Sequence, residues 1–349
     1  MLVVTRAATR KVPALAVYCF ATAIALADPA HGPSSPTSIF SPVSTPAQSI
    51  YELSLFVLAL TAAVFVLVFG LLAYAVMTFR EKAHDDKREP PQVYGSSQVE
   101  TAWTVIPVLI VLVLFLATVR VIANVQEAAK PHDAIEVTVI GHQFWWEYRY
   151  PGLDVVTANE LHVPVSDPAH PTPTFLTLLS ADTDHSFWAP RLAGKTDLIP
   201  NHPNSMWIEP HETGVYLGQC AQYCGVQHAK MLLRVYVEKR ADFDRWIEQQ
   251  RQSVFVSDAV SQGKVVFETN PCLVCHRVSG IAGNGRLGPD LTHLMSRDTI
   301  ASGAALNTPE NLRKWIQDPS SIKPGALMPA FQLSDRQIDE LTAYLEALR

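Results

Sequence analysis

"TGVYLGQCAQYCGVQHAKMLLRVYVE", residues 213–238, sets two cysteines, a histidine and a methionine between two apolar runs rich in β-branched residues. The flanks, 213–219 and 231–238, read as strands. The stretch between them is then a loop carrying Cys220, Cys224 and His228, and with Met231 at its edge it gathers four soft or borderline metal ligands. Zinc favours a closed tetrahedron of Cys and His, and a thioether serves it poorly. Thiolate, thioether and imidazole on a β-sheet loop favour copper. A single blue-copper ion takes one cysteine and two histidines, so the second cysteine is surplus. A thiolate can bridge, and two of them can hold two copper ions close together. Each ion then needs its own histidine and a weak axial ligand. His228 supplies one imidazole, and His185 of "DTDHSFW", in a loop after a strand, is the expected second. His142, His162, His170, His202 and His211 read as surface or hydrogen-bonding residues.

The neighbouring segments extend the strand pattern. "IEVTVIGHQFWWEYRY" (135–150), "TFLTLLSADTDHSFW" (174–188) and "SMWIEP" (205–210) alternate or are rich in aromatic and β-branched residues. Residues 134–238 are therefore expected to form an all-β sandwich or barrel. The polar, helix-prone 239–256 reads as a connector, and 257–349 as a small all-α domain. There, Thr308-Pro309 and "SDRQ" (334–337) mark helix starts, and Ile338, Leu341, Leu345 and Leu348 share one helical face.

"CLVCH", Cys272 to His276, is the attachment pattern of a c-type haem. Cys272 and Cys275 would form the thioether links and His276 would bind iron. Met328, in the proline-bounded "KPGALMPAF", is the expected sixth ligand. Met295, in a segment read as helical, and His293 are the other candidates. Methionine–histidine ligation suits electron transfer.

The chain has 349 residues, enough for several domains, and its net charge of −6 gives no reason to expect a nucleic-acid partner. Residues 1–27 have the basic start, short apolar middle and small-residue ending of a signal peptide. Residues 28–49 are rich in Pro and Ser and read as an irregular exported arm. Within 50–125, the apolar segments 53–77 and 103–122 are long enough to cross ~30 Å of hydrocarbon as helices. Arg80, Lys82, Lys87 and Arg88 cluster between them, whereas the arm has neither lysine nor arginine. The positive-inside rule puts that loop in the cytoplasm and the remainder of the chain outside. Outside the cytoplasm paired cysteines usually form disulfides. Here each pair sits beside a histidine, which favours cofactors.

These residues resemble subunit II of the haem-copper cytochrome c oxidases and its dinuclear copper A site. "HSFW", "CAQYCGVQHAKM", "VETAWTVIP" (99–107) and "GHQFWWEYRY" (141–150) carry the likeness. "LGPDL" (287–291) and "KPGALMP" (323–329) resemble class I cytochromes c. The resemblance implies a two-helix membrane hairpin, a cupredoxin-like Greek-key barrel and a fused cytochrome c domain. It implies His185, Cys220, Cys224, His228 and Met231 as copper ligands, with the backbone carbonyl of Gln222 as a weak one. It places Glu100 at the mouth of a proton path into subunit I. Many members have glutamate at the position of Gln222, reaching a magnesium ion, and an amide is a weaker ligand for that hard cation. The tryptophan that usually receives electrons from soluble cytochrome c is Phe144 here, beside Trp145 and Trp146. This substitution suggests a different route for the electrons.

The expected role is the electron-receiving subunit of a respiratory terminal oxidase in the bacterial inner membrane. Electrons pass from haem c to copper A and on to subunit I, where oxygen reduction and proton transport take place. Partners are subunit I, other membrane subunits, and a donor such as a quinol-oxidising complex or a small cytochrome. A copper A nitric oxide reductase is the neighbouring alternative. A membrane-tethered copper delivery protein is a third, against which "CLVCH" argues.

Overall fold

The computed structural model describes residues 35–80, 92, 94–126, 130, 134–167, 169–281 and 283–349. The expected signal peptide, the first part of the arm and most of the basic loop lie outside these residues. Two long helices open the described chain, α1 (Thr45–Thr78) and α2 (Ser97–Gln126), each with a mean hydropathy of 2.9 over its most apolar window. Their leucine, valine and phenylalanine side chains face outward, a surface that fits lipid and not water.

Both helices start earlier than the hydropathy limits at 53 and 103. The arm is not irregular to its end. Val43 N–H donates to the Arg191 carbonyl (3.0 Å), and His211 N–H donates to the Val43 carbonyl (2.8 Å). Ser44 pairs with Pro210, and Pro46 lies in the first turn of α1. In α2, Ser97 to Gln126 is continuous and Pro107 lies inside it, removing the N–H that the Trp103 carbonyl would receive. The Trp207 indole donates to the Val125 carbonyl at the end of α2 (2.7 Å), tying the hairpin to the β domain.

Ten strands follow: β1 (Ile135–His142), β2 (Trp145–Tyr150), β3 (Val155–Ala158), β4 (Glu160–Pro164), β5 (Thr174–Ser180), β6 (His185–Trp188), β7 (Thr196–Leu198), β8 (Asn204–Ile208), β9 (Gly214–Cys220) and β10 (Leu232–Glu238). They form two five-stranded sheets, ordered β3-β2-β1-β5-β8 and β4-β10-β9-β6-β7, in a cupredoxin-like arrangement. Period-two alternation sends Leu233, Val235 and Val237 of β10 inward, against Leu161, Leu176 and Leu178 in one buried cluster. The stretch expected as a connector is more than a linker. Helix α3 (Arg240–Arg251) adds Phe243, Trp246 and Ile247 to the β-domain core.

The C-terminal domain packs α4 (Ser261–Thr269) on α8 (Asp335–Glu346). Gly263 lets them cross closely, since a Cβ there would lie 2.0 Å from the Glu340 carbonyl oxygen. Between them come α5 (Cys272–Cys275), α6 (Pro309–Gln317) and α7 (Pro319–Ile322). Thr308 caps α6, Ser334 and Gln337 form a capping box on α8, and Ile338, Leu341, Leu345 and Leu348 are buried. The domain is not wholly helical. A small hairpin pairs β11 (Thr299–Ile300) with β12 (Ala305–Leu306), turning through Ala301, Ser302 and Gly303, all at positive φ. It docks on the β domain, where Ser302 Oγ donates to the Leu232 carbonyl (2.9 Å) and Leu232 N–H donates to that of Ser302 (3.2 Å). The Glu160 carboxylate accepts from the Asp298 N–H (3.0 Å) and the Thr299 N–H (2.9 Å).

Candidate copper and haem centres

The ends of β6 and β9 are adjacent, with Phe187 opposite Cys220, and this pairing brings His185 to the cysteine loop. His185 Nδ1 lies 3.9 Å from Cys220 Sγ, and the two sulfurs are 3.9 Å apart. Cys224 Sγ is 3.8 Å from both His228 Nδ1 and Met231 Sδ. Cys220 Sγ lies 3.1 Å from the Gln222 carbonyl oxygen, while the Gln222 side chain is exposed. All six expected ligands therefore meet in one cluster. His185, Cys220, Cys224 and Met231 are buried.

The donor set fits copper. Both thiols are free, and their 3.9 Å separation far exceeds a disulfide bond of ~2.05 Å. It is also less than twice a metal–thiolate bond of ~2.3 Å, so an ion can bond both sulfurs at once. Hydrogen bonding with Cys224 pulls the Cys220 thiol below the usual thiol range, with His185 adding to the effect. The same contact pushes Cys224 far above the usual thiol range.

Residues the sequence reading did not single out hold this cluster in place. The Asp182 carboxylate sits 2.7 Å from His185 Nε2, turning Nδ1 toward the sulfurs. Burial works against a charged His185, but Asp182 and Cys220 outweigh it and raise the imidazole. Gln143 Nε2 donates to the Cys224 carbonyl (2.5 Å), and its backbone N–H donates to Asp182 (2.6 Å). Gly141 and Gly225 have to be small. A Cβ on the first would meet the His185 ring at 2.8 Å, and one on the second would meet the Phe144 ring at 3.0 Å. The spacing Asp182-x-x-His185 was a usable signal for the carboxylate. Nothing in the sequence pointed to Gln143.

The remaining histidines are accounted for in several ways. His142 pairs with Glu147 (2.9 Å) and His162 with Glu238 (3.1 Å), while His211 meets the Thr45 hydroxyl (2.9 Å). His170 and His202 are exposed.

Cys272, Cys275, His276 and Met328 line a single cavity of 720 Å³ in the C-terminal domain, a size suited to a macrocycle. Its wall is mostly apolar, including Phe267, Leu291, Ile316, Phe331, Leu341 and Leu345. His276 Nδ1–H donates to the Pro289 carbonyl (2.8 Å), which leaves Nε2 to bind iron. Burial depresses the His276 imidazole, keeping it in the neutral, ligating form. Gly288 of "LGPDL" allows this approach, for a Cβ there would lie 2.5 Å from the His276 ring. Met295 instead packs against the helical core, and among the described residues neither it nor His293 lines the cavity. The residues present fit a haem attached through "CLVCH".

The cavity also has a wall from the β domain. Gln143, Phe144, Trp145 and Asp182 line it, so two residues that hold the copper cluster also face the haem cavity. Trp146 is a core aromatic, its ring edge-on to His185 at 6.1 Å. Phe144 is buried in the β-domain core, its ring against Gly225, and its carbonyl accepts from Lys323 of the C-terminal domain.

Fold and centres define a membrane-anchored redox protein with a cupredoxin-like metal domain and a cytochrome domain in one chain. Family comparisons agree. Residues 34–121 match the transmembrane domain of cytochrome c oxidase subunit II, 168–238 its periplasmic domain, and 260–349 cytochrome c. The cytochrome c oxidase subunit 2 of Alkalihalophilus pseudofirmus is 34% identical over 317 residues, covering 88% of this chain and 90% of that one. That of Bacillus sp. strain PS3 is 33% identical over 291 residues, covering 78% and 80%. The crystal structure of the periplasmic domain of subunit II from Bradyrhizobium japonicum is 27% identical, covering 35% of this chain and 97% of that one, with a TM-score of 0.33. This chain belongs to the cytochrome c oxidase subunit 2 family. It is a subunit of a haem-copper terminal oxidase, and its families imply copper and haem binding.

Proposed function

We propose that the chain takes up electrons at a covalent haem c, passes them to a dinuclear copper A centre, and delivers them to the haem of oxidase subunit I. There, oxygen is reduced to water with coupled proton transport. Cys272 and Cys275 would carry the haem links, and His276 and Met328 would bind its iron. His185, Cys220, Cys224, His228, Met231 and the Gln222 carbonyl would hold the two copper ions. When bound, the haem and the copper pair each supply a one-electron couple. The protein fixes both sites in rigid packing and keeps water from the sulfurs.

The observation that carries this order is the shared wall. Asp182 and Gln143 touch the copper cluster and line the haem cavity. The Phe144 carbonyl accepts from Lys323 of the cytochrome domain and the residue lines the haem cavity, which supports electrons arriving internally at this position. The two apolar helices fit an inner-membrane protein and present outward faces for subunit I. The basic cluster between them supports cytoplasmic placement of that loop, with both redox domains on the periplasmic side. Glu100, in the first turn of α2, would stand at the mouth of a proton path. The donor would be a quinol-oxidising complex or a small cytochrome.

Cys220→Ser tests the order in the purified oxidase. An external donor should still reduce the haem, but oxygen uptake should be lost and the haem should stay reduced in air. Oxygen uptake at the wild-type rate would mean electrons bypass the copper cluster.

A further inference from the structure

Lys323 opens the segment that carries Met328, yet its side chain does not reach solvent; the residue is 4% exposed. A buried lysine is costly unless its N–H groups find acceptors. Its Nζ donates to the Phe144 carbonyl (2.8 Å) and lies 3.3 Å from that of Ala301, and the residue lines the haem cavity. Burial pulls the amine down to about 7, so the charged form is disfavoured there, and the two backbone carbonyls are the acceptors its N–H groups find. The acceptor is the informative partner. Phe144 packs its ring on Gly225 of the cysteine loop, and the preceding Gln143 binds the Cys224 carbonyl. The strap is reciprocal, because Lys230 of the copper loop donates from Nζ to the Ile322 carbonyl (3.2 Å). Residues 322–323 are thus tied to the copper module from both directions.

We propose that Lys323 is a positioning residue for electron transfer within the chain. Its hydrogen bond to the Phe144 carbonyl fixes the methionine-bearing loop of the haem domain against the loop that supports Cys224. This rests on the haem-to-copper order proposed above. One electron leaves reduced haem iron and enters the oxidised copper pair, with no bond made or broken. Lys323 sets the approach of the two modules and exchanges no electron itself. Other interdomain contacts, such as Tyr236 Oη donating to Asp298 (2.6 Å), hold the domains together without touching either centre.

The test compares Lys323→Met with Tyr236→Phe in the whole oxidase. The haem is reduced anaerobically, and internal equilibration with copper is followed alongside the static spectra of both centres. Lys323→Met should slow equilibration by more than about threefold. Tyr236→Phe should stay within about twofold of wild type, and the spectra and the rate of haem reduction by an external donor should not change. Lys323→Arg, which keeps a donor at this position, should recover most of the rate. A Lys323→Met rate within about twofold of wild type overturns the proposal, and so does equal slowing by Tyr236→Phe. If Lys323→Met loses either spectrum, Lys323→Gln replaces it under the same criteria. Wild-type protein with no internal equilibration would instead overturn the proposed order of centres, a distinct outcome.

Discussion

The copper cluster and the haem cavity solve the same problem, holding a redox centre still, in opposite ways. The cluster is assembled by protein contacts alone. Pairing of β6 with β9 and contacts of 3.8–3.9 Å among His185, Cys220, Cys224, His228 and Met231 place the ligands before any metal is considered. The helical domain instead surrounds 720 Å³ with mostly apolar side chains, so its core would be completed by the proposed haem. In the first region the fold organises the cofactor. In the second the proposed cofactor would take part in organising the fold.

The largest effect expected from this contrast comes from removing the haem links. Cys272→Ser combined with Cys275→Ser should abolish covalent haem and the cooperative melting of the helical domain. The copper spectrum and the melting of the β domain should persist. Calorimetry alongside absorption spectroscopy reads both, and a helical domain that still melts sharply without haem would break the comparison.

An intermediate effect is expected at Asp182. Asp182→Asn removes the carboxylate that orients His185, and copper affinity should fall ~10–100-fold in a chelator competition. Haem bands should be unaffected. Unchanged affinity would mean that packing alone orients the imidazole.

The smallest effect lies in the β scaffold. Burial alone would raise the Glu147 carboxyl, but the hydrogen bonds from His142 and Arg149 outweigh it and hold the group below 4.5. The folded state therefore binds this proton less tightly than the unfolded chain does. The resulting stability is present above about pH 4.5 and is lost as pH falls through the lower folded value. Glu147→Gln should flatten that acid-side loss for the β domain while leaving the helical domain's pH profile as it was. Denaturant melts at several acidic pH values check this.

The two regions also differ in how far the sequence exposes them. The cysteine loop and "CLVCH" are contiguous, and their ligand spacing is fixed chemistry, so the residues could be named from the chain alone. His185 came from a loop reading, although it is the first residue of β6, and Met328 from its proline-bounded segment. Tertiary contacts were harder to see. Gln143 looks like any polar loop residue, and its value lies in reaching the Cys224 carbonyl across the fold. Lys323 resembles a surface lysine before a proline, and only domain docking buries it. The turn Ala301-Ser302-Gly303 makes a docking hairpin inside a segment whose composition reads as helical. Helix limits slipped for a related reason. Hydropathy marks the lipid-facing stretch, whereas α1 begins where Ser44 pairs with the β domain.

The most direct measurement is anaerobic stopped-flow reduction of the haem in the purified oxidase, with haem and copper absorption recorded together. Haem reoxidation and copper reduction should share one rate constant that does not change with protein concentration. A rate that rises with concentration, or copper that is reduced while the haem plays no part, would contradict two centres coupled in series within one chain.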